Sequence, residues 1–182
     1  MNDVSNGDTK GEAKAVAAAI SIVAAALMVV SFFLPYVSAN EDARESLARN
    51  PEGWAIESIG MTNSDAVDVS LAEYVRIYAS DEAGALAAIY TPLFVAILGC
   101  SLLALLFSAL RKPLPATMFS VFVFALNVLL IWDFAEPGIV PGNIYGWGVA
   151  KWVYMAAASA AIAGSIWSLA IKARDTRKAR KK

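Results

Sequence analysis

The sequence predicts an all-α integral membrane protein, an antiparallel four-helix transmembrane bundle with a partly helical extracytoplasmic first loop. Three observations carry this reading. Four apolar stretches, 15–38, 83–110, 115–133 and 151–171, carry charge only at their edges, and about 20 helical residues span the ~30 Å hydrocarbon layer of a bilayer. Lipid offers backbone amides no partner, so spans must satisfy them internally as helices, and no alternating pattern of about ten residues marks a barrel. Charge is segregated between the stretches: residues 39–83 hold ten acids and three arginines, whereas 172–182 hold seven bases and one acid.

The elements follow in chain order. Residues 1–14 form an amino-terminal tail with Lys10 and Lys14. Lys and Arg bias loops toward the cytoplasm, so this tail, the turn 111–114 with Arg111-Lys112, and the basic tail 172–182 are placed there. Segments 39–82 and 134–150 are then extracytoplasmic. The bilayer is the first partner implied, and a bacterial inner membrane is the expected home of this multi-pass chain.

The first span has a second reading, since Val37-Ser38-Ala39 fits the small-residue cleavage rule of a secretory signal. Its apolar core is longer than a signal core of about 7 to 15 residues, which favours retention. The basic tail reads first as a topology anchor with incidental lipid contact, and second as a regulatory or nucleic-acid-binding run. Anchoring is the simpler account, and no nucleic-acid partner is expected.

Within the first loop, Ser70-Leu71-Ala72-Glu73 is a capping box. Leu71, Tyr74, Val75 and Tyr78 follow at helical spacing on one face. Ser38-Ala39-Asn40-Glu41 predicts a second boxed helix through Ala48. Between them stand Trp54, Ile56, Ile59 and Met61, apolar residues in an acidic segment. They either pack onto the helix ends or form a patch that binds a membrane or envelope protein. In the second connection, Pro137, Gly138, Pro141 and Gly142 predict tight turns.

Helices in lipid meet where small residues let backbones approach. Span one supplies Ala17, Ser21 and Ala25; span two Ala96, Cys100, Ala104 and Ser108; span four Ala156, Ala160, Gly164 and Ser168. Span three brings bulk, Phe119, Phe122, Phe124, Leu126 and Leu130, to fill the grooves. Thr91 is expected to soften the loss of a hydrogen bond at Pro92. Polar residues within spans are functional candidates. Asn127 reads as an interhelical hydrogen-bonding group, and Asp133 and Lys151 as an ion pair tying spans three and four, or else as an ion route. Tyr36, Trp132, Tyr145, Trp147, Trp152 and Tyr154 gather at one level and predict an interfacial aromatic belt.

The layout of four spans with a larger first outer loop is similar to that of claudin-like proteins in topology. The loop here has a lone Trp54 and no cysteine, so neither function nor residue roles carry over from that family.

The inventory narrows the chemistry. With no histidine and Cys100 as the only cysteine, a His/Cys zinc site, a Cys–His nucleophile pair and an intrachain disulfide are excluded. Phosphate loops, dinucleotide fingerprints and nucleophile elbows are also missing. No cofactor is expected. The leading expectation is a non-enzymatic accessory or scaffolding protein that binds an envelope component through its acidic outer loop and helix faces. The alternative is a subunit of a homo-oligomeric transporter or channel using Asn127, Asp133 and Lys151; a membrane enzyme using outer-loop carboxylates comes third.

Overall fold

The computed structural model describes residues 3–136 and 140–179. Four long helices, α1 (Asp3–Ser31), α4 (Ala87–Ala109), α5 (Pro113–Ala135) and α6 (Val149–Ala179), are each long and apolar enough to cross a membrane. Two short helices, α2 (Glu41–Ala48) and α3 (Leu71–Tyr78), lie in the first connection. Pro137, Gly138 and residues 180–182 lie outside the described residues, and with them part of the predicted turn run and the end of the basic tail.

The bundle is helical as expected, but its connections are not all-α. Strands β1 (Pro35–Ala39), β2 (Trp54–Ile56), β3 (Met61–Thr62), β4 (Asp68–Ser70) and β5 (Tyr145–Trp147) form two small sheets. One is three-stranded in the order β4-β1-β5; the other is the β2-β3 hairpin. Both neighbours of β1 run antiparallel to it, with Val37 facing Val69 on one side and Trp147 on the other. The first apolar stretch therefore does not run helically to residue 38. It turns after Ser31 and continues as a buried central strand, a form that β-branched and aromatic side chains accept as readily as a helix does.

Local capping explains the short helices. The Ser70 hydroxyl accepts from the Glu73 amide at 3.2 Å while the Glu73 carboxylate accepts from the Ser70 amide, which is the predicted box. The other predicted box is corrected: Asn40 caps α2 through its side chain, accepting from the Ala43 amide at 3.1 Å, and Ser38 sits inside β1. Strand pairing claims the Ser38 backbone before a cap can form.

Packing of the long helices follows the small-residue logic with a corrected register. The Ala17, Ser21 and Ala25 row of α1 is buried, as is Gly164 of α6. A Cβ at Gly164 would stand 2.7 Å from Ser21 Oγ, 3.1 Å from Ile20 Cγ2 and 3.2 Å from the Ala17 carbonyl. Glycine alone permits that approach.

On α4, the buried row is Phe94, Ile97, Ser101, Ala104 and Ser108, whereas Ala96 is exposed and Cys100 half-buried. On α6, Tyr154, Ala157, Ala158, Ala161 and Gly164 face inward, Ala156 is exposed and Ala160 half-buried. A strict spacing of four turns about 40° past a full helical turn at each step, so a long four-spaced set leaves the contact face, while alternating steps of three and four remain on it. Helix α5 keeps that alternation from Ala116 through Ser120, Val123, Asn127 and Leu130 to Phe134. Of its expected bulk, Leu130 is buried, Phe119 stacks on Phe107 and Phe122 faces outward.

The turn between α4 and α5 carries a Schellman arrangement. The Lys112 amide donates to the Phe107 carbonyl at 2.9 Å and the Arg111 amide to the Ser108 carbonyl at 3.0 Å. Arg111 occupies the left-handed position with φ 54°, where glycine is usual because a Cβ costs about 1–2 kcal/mol. Pro92 lies in the second turn of α4; Thr91 Oγ1 is buried without a hydrogen-bond partner, so it does not replace the lost bond.

Replacing Gly164 by Leu is expected to lower the melting temperature in detergent strongly, since overpacking of this kind costs about 1–3 kcal/mol or more. Leu129→Ala, on an outward face, is expected to cost under about 1 kcal/mol. Equal melting temperatures for Gly164→Leu and the parent would disprove the α1–α6 contact.

Candidate functional site

The chemistry-bearing residues collect at the sheet end of the bundle. Tyr36 leaves the central strand and turns its ring into the bundle, where it is fully buried. Its hydroxyl donates to Asn127 Oδ1 at 2.9 Å, and its ring meets Phe134 and Trp147 edge-on at centroid distances of 6.1 Å and 6.0 Å. Asn127 Nδ2 and the Tyr154 hydroxyl, both buried, make no hydrogen bond. Ser101 faces Tyr154 but spends its own proton on the Ile97 carbonyl at 2.7 Å.

Asn127 thus performs the hydrogen-bonding role expected of it, toward a strand residue rather than a neighbouring span. Asp133 and Lys151 do not pair. The Tyr90 hydroxyl donates to Asp133 Oδ2 at 2.8 Å, tying α4 to α5. Lys151 Nζ lies over two indole rings, 4.0 Å from the Trp147 centroid and 4.7 Å from that of Trp152. Each charge instead meets an uncharged aromatic partner. The three residues do not share a route: Asn127 is inside the bundle, Asp133 at an α4–α5 contact and Lys151 against the sheet.

The expected aromatic belt also divides. Trp132 and Trp152 are exposed at the bundle surface, whereas Tyr36 and Tyr154 are core residues. A second aromatic stack, missed in the sequence, joins α3 to the bundle through Tyr74 on Phe94 at 5.7 Å and Tyr78 on Tyr90 at 4.7 Å. Burial raises the pKa of Tyr74 and of Tyr78, the latter helped by the charge of Asp133. The four-residue spacing of Tyr74 and Tyr78 on α3, matched by Tyr90 and Phe94 on α4, was the available signal.

Loop one and the second connection are knitted together. The Tyr145 hydroxyl donates to the Ala66 carbonyl at 2.7 Å, the Asn40 amide to the Ile144 carbonyl at 2.9 Å, and the Asn40 side-chain amide to the Asn143 carbonyl. The Gly148 amide donates to the Tyr36 carbonyl at 2.8 Å, and a Cβ at Gly148 would collide with the Pro35 carbonyl. Asp65 closes the β3 turn by accepting from the Thr62 amide at 2.9 Å and the Thr62 hydroxyl at 2.8 Å, which holds its carboxyl below the usual range.

On this platform the candidate patch is split. Met61 is buried in the core, Ile56 and Ile59 are half-buried against it, and Trp54 is 59% exposed. The hairpin, α3 and Tyr145 border a cleft of about 270 Å³, walled by Ile56, Met61, Val69, Tyr74 and Ile77; Trp54 is not part of its wall. Among the described residues no three His, Cys, Asp or Glu side chains converge as a metal site. No protein-family model, curated protein or solved structure matches this chain.

A double-mutant cycle tests the buried link. Tyr36→Phe leaves the Asn127 amide with no partner and is expected to cost about 1–2 kcal/mol. Combined with Asn127→Leu, the two losses should fall short of additivity by about 1 kcal/mol, measured by denaturation in detergent. Strict additivity would show that the bond carries no energy.

Proposed function

We propose that this chain is a non-enzymatic accessory or scaffolding protein of the cell's inner membrane, docking an extracytoplasmic segment of another envelope protein onto its sheet end. The observation that carries the reading is Trp54, a large exposed aromatic on the β2-β3 hairpin, whose next residues Ala55 and Ile56 line an apolar cleft. Aromatic anchors with an adjacent pocket are where interface energy concentrates. The surrounding segment has a net charge of −7 over residues 39–83. An apolar anchor flanked by basic residues is therefore the partner chemistry that complements it.

Orientation belongs to the same proposal. Arg111, Lys112 and Lys172 lie at the end away from the sheets, which favours both termini in the cytoplasm and the sheets outside. The ion-route reading has less support, because its three residues face separate partners and Tyr36 fills the bundle at the sheet end.

Compartment reporters at Met1, Leu114 and Lys182 are expected to read cytoplasmic, and one at Gly60 external. A reversed pattern would overturn the orientation. Trp54→Ser should release a co-purified partner while leaving the melting temperature within about 1 °C, since exposed substitutions cost little. Met61→Ser, by contrast, should destabilise the chain by about 2 kcal/mol or more through loss of buried volume. Unchanged partner recovery with Trp54→Ser would remove the docking assignment.

A further inference from the structure

At the end opposite the sheets, α1, the α4–α5 turn and α6 enclose a cavity of about 470 Å³. Its wall carries four cations, Lys14, Arg111, Lys112 and Lys172, against one carboxylate, Asp175. Lys14 reaches that carboxylate at 2.8 Å and ties α1 to α6. Among the described residues, Arg111, Lys112 and Lys172 form no ion pair. Lys and Arg beside a membrane need no site to explain them, since topology alone selects them. Two further features are not explained by topology.

The first is at the floor of the cavity. Ser108 is 5% exposed and its hydroxyl has no hydrogen-bond partner. Beside it, Ser165 and Ser21 hydroxyls also line the space, 3.4 Å apart. A buried hydroxyl without an acceptor is unfavourable, and Ser108 borders the cavity, where a small side-chain shift would bring its proton to an entering acceptor. The second feature is Arg111 itself. It holds a left-handed position that the turn geometry assigns to glycine, so a guanidinium is kept at the cavity mouth at a cost to the backbone.

Cations at the mouth and an unspent hydroxyl donor at the floor are the complement of a phosphate, which is acceptor-only and anionic. We propose that this cavity binds the phosphate group of an anionic ligand. Basic pockets between spans take phospholipid headgroups, and the alanines at positions 15, 18 and 116 give the wall an apolar part suited to the carbon next to such a group. A soluble phosphate compound presents the same oxygens, and the assay below separates the two sources.

The test uses the full chain purified in non-ionic detergent, with binding of phosphatidylglycerol, phosphatidylcholine and inorganic phosphate measured by native mass spectrometry and thermal shift. The decisive variants are Ser108→Ala and Arg111→Gly. Each removes a feature unfavourable to the free fold, so ligand-free melting temperatures should hold or rise. Each should weaken binding about tenfold, and added salt should blunt the defect of Arg111→Gly more than that of Ser108→Ala. Retention of phosphatidylglycerol over phosphatidylcholine with that variant dependence supports a lipid headgroup. The same dependence for inorganic phosphate, with no preference between the lipids, supports the site with a soluble ligand. Full binding by Ser108→Ala would reduce the cavity to surface charge and overturn the proposal, as would absence of binding by the parent.

Discussion

The fold depends on one side chain serving two structures at once. Tyr36 belongs by its backbone to the central strand, paired on both sides, and by its ring to the interior of the helix bundle. The hydrogen bond to Asn127 fixes how deep the ring sits, and the edge contacts with Phe134 and Trp147 fix its direction. Sheet and bundle are therefore positioned against each other by a common element rather than by a loose loop. The sheet end can act as a platform only because of this. A short three-stranded sheet would be marginal alone; seated on four helices it inherits their rigidity.

A contrast between the two ends of the molecule follows. At the sheet end, polar groups are mostly spent: Tyr90 on Asp133, Tyr145 on Ala66, Asn40 on two carbonyls of the second connection. Apart from the buried Thr91, Asn127 and Tyr154 groups, what is left unspent there is apolar, the exposed Trp54 ring and the cleft under α3. At the tail end the balance reverses. Three cations and a serine hydroxyl remain without partners among the described residues, around a cavity rather than a packed core. The apolar cleft and the cation-lined cavity are thus separated by the length of the bundle.

The long helices were legible in the sequence because lipid imposes length and composition on every span. Gly164 and the Ala17, Ser21, Ala25 row were legible because close approach demands small side chains. The α4 register was not, since alanine and serine are so frequent there that composition cannot tell one face from the next; Asn127 on α5 succeeded because a single polar residue marks its face. The strand Pro35–Ala39 was hidden by continuity with an apolar stretch, and its pairing with residues 145–147 is a contact no local pattern announces. Asp133 and Lys151 suggested each other by charge alone, whereas ring geometry, invisible in one dimension, directed them to Tyr90 and to two indoles. The serine hydroxyls at the cavity read as packing residues, and only their depth beside unpaired cations gives them another meaning.

Among the described elements, the most extensive helix pair joins α1 to α6, the first in order to the last. The central strand has the same property, because β5 cannot pair with β1 until residue 147 has been made. During synthesis α1 must therefore wait, with its small-residue face uncovered by α6, until residues beyond 148 have been made. Closure of the bundle waits on α6, and completion of the sheet on β5. A chain interrupted before β5 would retain spans able to insert but no partner for Ala17, Ser21 and Ala25, and no third strand. A membrane protease that surveys exposed helix faces would therefore tell chains that carry α6 from chains that lack it.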